Sequence, residues 1–181
     1  MFDVAFVCTG NRFRSPLAAA LLTAATSAPV RVRSVGVLEL GPVPALREAV
    51  ELAETLDVDL ADHRAVGLSD IDLEPLDLVL GFERMHVRTA VVDAAAAIEQ
   101  TFTLPELVRL LEALPEAASR PDAVEQARAR VKQAHESRPP GFRTAAVEEV
   151  PDPLGRPSRE QQRVAKAVDD LVRRLARLLF D

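Results

Sequence analysis

Cys8 is the only cysteine in the chain, Arg14 follows it in a Cys-x5-Arg spacing, and Ser15 comes next. A thiol is a poor nucleophile until it loses its proton. A nearby guanidinium, a hydroxyl donor and a helix N-terminus all favour the thiolate. The same groups suit a tetrahedral oxyanion. Arg14 can grip two oxygens in a fork, and backbone N–H groups of a loop running into a helix can cup the others. A nucleophile at the base of such a cradle implies attack on phosphorus and a phosphocysteine intermediate. A buried cysteine that merely ends a core strand is the plain alternative. Against it stands the joint occurrence of an apolar strand, Cys8, Gly10-Asn11, Arg14, Ser15-Pro16 and a helix in one short stretch.

Hydrolysis of a phosphate ester also needs a proton for the leaving oxygen. Asp152 lies between Pro151 and Pro153, which restrict the local backbone and aim the carboxyl with little entropy to lose. On the residues alone, a plain turn aspartate is the favoured reading of this Pro-Asp-Pro segment.

The surrounding elements must bring these groups together. Residues 3–7 read as a buried strand. Gly10 and Asn11 can both take unusual backbone angles. Ser15 and Pro16 suit the N-cap and first position of a helix over 15–26, with Leu17, Leu21 and Leu22 on one face. A second strand is expected at 30–37, where Val30, Val32 and Val35 alternate with polar residues, with Gly36 near its end. A Gly- and Pro-containing loop at 38–44 leads into a helix at 44–56. A strand at 76–81, a helix at 83–92 and a short strand at 98–102 complete the alternation. This pattern implies right-handed crossovers and a parallel sheet with helices on both faces. The expected class is α/β: three layers, α/β/α, around a four-stranded parallel sheet, with an added helical segment. Ligands of such sheets bind beyond the carboxyl ends of the strands, where Cys8 falls.

Thr103 and Glu106 form a capping-box pair for a helix at 103–114. Prolines then cluster at 115, 121, 139 and 140, and residues 115–146 read as an insertion in a single domain spanning 1–181. Within it Pro121 is expected to start a helix near 122–135, whose apolar face is mostly alanine with Val124 and Val131. A solvated surface stretch and a lid or partner arm are the two readings. Ser158 is expected to cap a last helix to about residue 180. Its apolar stripe runs through Val164, Val168, Val172 and Leu175, with Arg173, Arg174 and Arg177 near its negative end.

The composition narrows the field. A 181-residue chain with 48% hydrophobic and 28% charged residues suits one globular domain. The net charge of −6 gives no basic footprint for nucleic acid. No apolar run approaches the ~18 residues of a membrane span, and no signal peptide is expected, which points to the cytoplasm. One cysteine excludes an internal disulfide, and His63, His86 and His135 lack metal-ligand spacing. Neither a metal nor a cofactor is expected.

The run Val7-Cys8-Thr9-Gly10-Asn11-Arg12-Phe13-Arg14-Ser15-Pro16 resembles the signature of the low-molecular-weight protein tyrosine phosphatases, a superfamily shared with thioredoxin-coupled arsenate reductases. The resemblance covers about 3–102 and 150–180. It implies Cys8 as nucleophile and Arg14 as phosphate clamp. The backbone of Thr9, Gly10, Asn11, Arg12, Phe13, Arg14 and Ser15 would form the cradle, and Asn11 would brace it. Ser15 would assist the thiolate, and Asp152 would act as acid and then base. The implied activity is hydrolysis of phosphate monoesters, phosphotyrosine foremost, on a phosphorylated protein or a small phosphate ester. Phe13 stands where many members have a second cysteine, and Arg12 replaces an apolar rim residue. Leu154 replaces the tyrosine of the Asp-Pro-Tyr triplet, and Phe82-Glu83 replaces Met-Asp. His63 occupies the place of a loop brace, although a surface turn histidine fits the sequence as well. Arsenate reduction with an external low-molecular-weight thiol, and a phosphate-binding pseudoenzyme, are the alternatives.

Overall fold

The computed structural model describes residues 1–115, 122–141 and 148–181. Four strands form one sheet: β1 (Phe2–Cys8), β2 (Val30–Gly36), β3 (Leu78–Gly81) and β4 (Thr101–Thr103). They lie in the order β2-β1-β3-β4, and every neighbouring pair is parallel. The helices are α1 (Arg14–Ala25), α2 (Arg47–Glu54), α3 (Arg84–Asp93), α4 (Leu104–Ala113), α5 (Ala123–Glu136) and α6 (Ser158–Phe180).

The side-chain alternation of β1 serves two cores. Val4 and Phe6 join Leu80, Phe102 and the buried faces of α1, α4, α5 and α6. Ala5 and Val7 point the other way, to Val35, Val79 and Ala90 of α3. This is the expected three-layer α/β/α arrangement. After β1 the chain runs first to one side, as β2, and then returns to the other, as β3. The switch therefore falls at the carboxyl end of β1, where a crevice opens and Cys8 stands.

Several local expectations are corrected. The first helix begins at Arg14, with Phe13 in the cap position and no side-chain cap bond. Ser15 is thus inside the first turn, and its hydroxyl is directed elsewhere. Of the two loop residues able to take unusual angles, Asn11 does so, with φ 52°, and Gly10 is not among the positive-φ residues. The helix expected at 44–56 is shorter, because Pro44 pairs with Arg64 in an isolated bridge before the helix starts. The strand expected at 98–102 is a 3-10 turn at Ile98–Gln100 followed by β4. In α6 the cap position is taken by Pro157, and Ser158 is the first helical residue.

The helical segment within 115–146 is present, and it is not a solvated one. Val124, Ala127, Val131 and Ala134 of α5 are buried in the main core. Alanines let the helix axis approach closely, so a modest apolar face suffices. Its N-terminus is capped by Asp122, which accepts from Val124 N at 2.8 Å and Glu125 N at 3.3 Å. Pro121, the expected start, lies outside the described residues.

Candidate active site

Between β1 and α1 the chain turns through Thr9 to Phe13. Its carbonyls are drawn outward by donors from the surrounding loop. Val37 N donates to Cys8 O, Leu38 N to Thr9 O and Leu46 N to Arg12 O, each at 2.9 Å. His63 Nε2 reaches Asn11 O at 2.7 Å. Since that partner is a carbonyl, the imidazole nitrogen is the donor. In a trans peptide the following N–H points opposite to the C=O. Outward carbonyls therefore turn the N–H groups of Thr9, Gly10, Arg12 and Phe13 to the inner side of the turn. Asn11 N, which follows the Gly10 carbonyl, meets the sulfur directly, 3.3 Å from Cys8 Sγ. Inward N–H groups backed by the start of α1 are an arrangement that can receive an anion.

Asn11 holds this shape. Its Nδ2 donates to Ser15 Oγ and to Ser34 Oγ, both at 2.9 Å, and its Oδ1 accepts from Val66 N at 2.8 Å. The Val66 N–H can only donate, which settles the amide orientation. Three hydrogen bonds, to α1, β2 and the loop at Val66, stabilise a residue in the left-handed region. Gly36 lies beside Cys8 in the strand register. A Cβ there would come within 2.9 Å of both Asn11 N and Gly10 C. The cradle thus packs directly on a backbone that carries no side chain.

Ser15 Oγ lies 3.0 Å from Cys8 Sγ and 3.3 Å from Val35 O. A thiol would donate to the serine while the serine donates to Val35. With a thiolate, the serine hydrogen can turn to sulfur instead. Arg14 is 1% exposed, and its guanidinium carries two sets of partners. Nη1 donates to Val150 O at 2.9 Å and pairs with Glu83 Oε1 at 3.1 Å. Nη2 pairs with Asp152 Oδ2 at 2.9 Å and donates to Thr9 Oγ1 at 3.2 Å. Phe82 lies beneath, with its ring centre 5.8 Å from the guanidinium carbon. Asp152 Oδ1 accepts from Leu154 N at 3.0 Å, an Asx-type turn that sets the carboxylate's direction.

The sequence-predicted residues Cys8, Arg14, Ser15 and Asp152 are therefore brought together, with the 9–15 loop around the sulfur. Arg12 sits at the margin, with Nε donating to Pro44 O at 2.8 Å. The Phe13 side chain is buried in the main core, which leaves only its backbone to the loop. His63 is a brace of the loop, and burial pushes its pKa down, so the neutral donor form is favoured. Leu154 is 66% exposed and presents an aliphatic side chain beside Asp152.

Glu83, His86 and Val150 were missed as site residues. His86 is fully buried. Its Nδ1 accepts from Phe82 N at 3.3 Å and Glu83 N at 3.1 Å, and its Nε2 lies 3.1 Å from Thr9 Oγ1. Burial first, then the Arg14 guanidinium, lower its pKa to about 4 against the opposing pull of Asp152. The one available signal was a histidine three residues after Glu83 at a helix start. Among the described residues, no group of three or more His, Cys, Asp or Glu side chains could hold a metal ion. No described helix is long and apolar enough to cross a membrane.

A family profile described as low molecular weight phosphotyrosine protein phosphatase matches residues 3–113. A protein-arginine-phosphatase of Bacillus subtilis (strain 168) is 34% identical over 109 residues, 59% of this chain and 72% of that protein. The crystal structure of a YwlE mutant from Bacillus subtilis superposes with a TM-score of 0.73 at 26% identity, covering 100% of each chain. A low molecular weight protein tyrosine phosphatase from T. tengcongensis gives 0.70 at 27% identity, covering 97% of each.

Proposed function

The chain belongs to the low molecular weight phosphotyrosine protein phosphatase family, and on that premise we propose that it removes phosphate from proteins through a phosphocysteine formed on Cys8. The family is one of hydrolases acting on phosphorylated proteins. The observation that carries the finer reading is that Arg14 Nη2 meets Asp152 Oδ2 at 2.9 Å while donating to Thr9, the residue after Cys8.

The thiolate of Cys8 attacks phosphorus, and the bond to the leaving oxygen breaks as Asp152 gives that oxygen a proton. Arg14 exchanges its carboxylate partners for two phosphoryl oxygens, and the inward N–H groups take charge that develops on the others. In the second step water attacks phosphorus while Asp152 accepts its proton. The P–S bond breaks, and the departing thiolate is received by the Ser15 hydroxyl and Asn11 N–H. The cytoplasm, where a nucleophilic thiol stays reduced, is the compartment this chemistry suits.

Phosphotyrosine is the substrate suggested by the family. A second reading, phosphoarginine, is favoured by the 34% identical protein-arginine-phosphatase and by the site mouth. There the aliphatic Leu154 stands next to Asp152, and the carboxylates of Asp152 and Glu83, both on Arg14, can turn to a substrate guanidinium once Arg14 grips the phosphoryl group. Comparing kcat/KM on peptides carrying each modification separates the two.

Hydrolysis of p-nitrophenyl phosphate tests the chemistry. Cys8→Ser is expected to abolish turnover, and Asp152→Ala to lower kcat on the order of 10² or more, as for loss of a general acid. An inactive wild type at pH 5 to 7 would sink the reading. Thiol-dependent release of arsenite from arsenate would then favour the reductase alternative, and vanadate binding without turnover the pseudoenzyme.

A further inference from the structure

The Thr9 hydroxyl has both of its acceptor positions filled by protein. Arg14 Nη2 donates to Oγ1 at 3.2 Å, and His86 Nε2 reaches it at 3.1 Å. The direction of the second bond follows from the other ring nitrogen. His86 Nδ1 accepts two backbone N–H groups, from Phe82 and Glu83. In the neutral ring the proton is therefore on Nε2, which donates to Thr9. A hydroxyl has two lone pairs and one hydrogen. Here both lone pairs are occupied, and the hydrogen has no acceptor among the described residues.

The location of that hydrogen matters. Thr9 immediately follows the nucleophile. Its oxygen lies at the Nη2 end of the guanidinium, the end that meets Asp152 at 2.9 Å, and not at the Nη1 end held by Glu83 and Val150. We propose that the Thr9 hydroxyl donates its hydrogen to the phosphoryl oxygen gripped by Arg14 Nη2, and that His86 is the positioning residue that aims it. Two fixed donors on one oxygen leave the O–H bond a single direction away from both. The donor is thus oriented before the ligand arrives, the condition under which such a bond helps most. His86 has a separable structural half: Nδ1 closes the turn at the start of α3, while Nε2 serves Thr9.

This inference rests on the phosphatase reading, and the test distinguishes the two. Binding of inorganic phosphate and vanadate to the full chain is measured by calorimetry, and kcat/KM on p-nitrophenyl phosphate is measured beside it. Thr9→Val keeps the shape and removes the donor. It is expected to weaken phosphate and vanadate binding and to lower kcat/KM, each on the order of tenfold. Thr9→Ser restores the donor and recovers most of the loss. His86→Asn retains a carbonyl for Phe82 and Glu83 N–H but is too short to reach Thr9. It is expected to cost several-fold with Thr9 present and nothing further in the Thr9→Val background, the non-additivity of residues acting through one another. Anion affinity and kcat/KM unchanged to within about twofold in Thr9→Val, or an equal cost of His86→Asn in both backgrounds, would overturn the proposal. A wild type without turnover would overturn the phosphatase reading alone, since anion affinity still decides the role of Thr9.

Discussion

At the residue scale the cradle depends on what Gly36 lacks. Backbone atoms of Gly10 and Asn11 occupy the space a Cβ would need. Gly36→Ala must therefore displace the loop and not merely a side chain. Overpacking of this kind costs about 1–3 kcal/mol, and a displaced loop misplaces the Asn11 N–H and the sulfur together. Thermal unfolding should register the first, and a loss of kcat/KM on p-nitrophenyl phosphate the second. His86 gives a pH prediction. Its folded pKa is about 4, against an unfolded value of about 6.5. The folded state thus binds fewer protons, and the stability that the neutral ring contributes is complete above the unfolded value. It is lost as pH falls from there through the folded value, amounting to about 2–3 kcal/mol between pH 7 and 4.5. Arg14, Asp152 and Glu83 are the charged groups facing the ring. Urea unfolding at the two pH values, for wild type and His86→Asn, isolates the term, which should vanish in the variant. Cys8, Arg14 and Ser15 were legible because chemistry tied to one loop leaves its spacing in the sequence. Glu83 and His86 were not, since their roles arise only when β3 is set beside β1.

At the element scale α5 is the instructive case. Its face of alanines and two valines understated its burial, because close approach of small side chains does not register as hydropathy. The signal lay instead in a charged residue. Arg138, just beyond the helix, is 2% exposed in its side chain and pairs with Glu106 Oε1 at 2.9 Å. It donates to Ile98 O at 2.9 Å and Thr101 O at 2.6 Å, and lies 3.7 Å over the Phe102 ring. One guanidinium thus joins α5 to the capping box of α4 and to β4. Removing it strands Glu106 with a buried charge, and Arg138→Ala should cost about 3–5 kcal/mol. Arg174, which bridges Glu112 and Asp170 on the exposed side of α6, offers the contrast. Its replacement by alanine should cost about 1 kcal/mol or less. Equal costs in urea titrations would refute the distinction. The helices themselves were largely legible from periodicity. Their starts were less so, since Ser15 looked like a cap and its hydroxyl is turned to Cys8 instead.

At the scale of the whole molecule, Val150 fastens the Asp152 segment to the far end of the chain. Its N–H donates to Phe82 O at 2.9 Å, and its carbonyl accepts from Arg14 Nη1 at 2.9 Å. The alternation implied a parallel sheet, and the structure arranges it as β2-β1-β3-β4, but no local pattern announces that residue 150 closes on residues 82 and 14. Val150→Pro removes the first bond, and it should lower kcat on p-nitrophenyl phosphate far more than it lowers the affinity for phosphate. The same tie governs how the molecule comes to life. Arg14 and Val150 are 136 positions apart, and closing so long a loop is slow and entropically costly. Cys8 and its loop belong to the first fifteen residues, whereas Asp152, the proposed acid, lies just before α6. Refolding from urea should therefore return activity and far-UV ellipticity of the final phase at one rate, with no turnover before it. On the proposed mechanism, a chain that has closed its cradle but not its ends is inert, and catalysis is the last property it acquires.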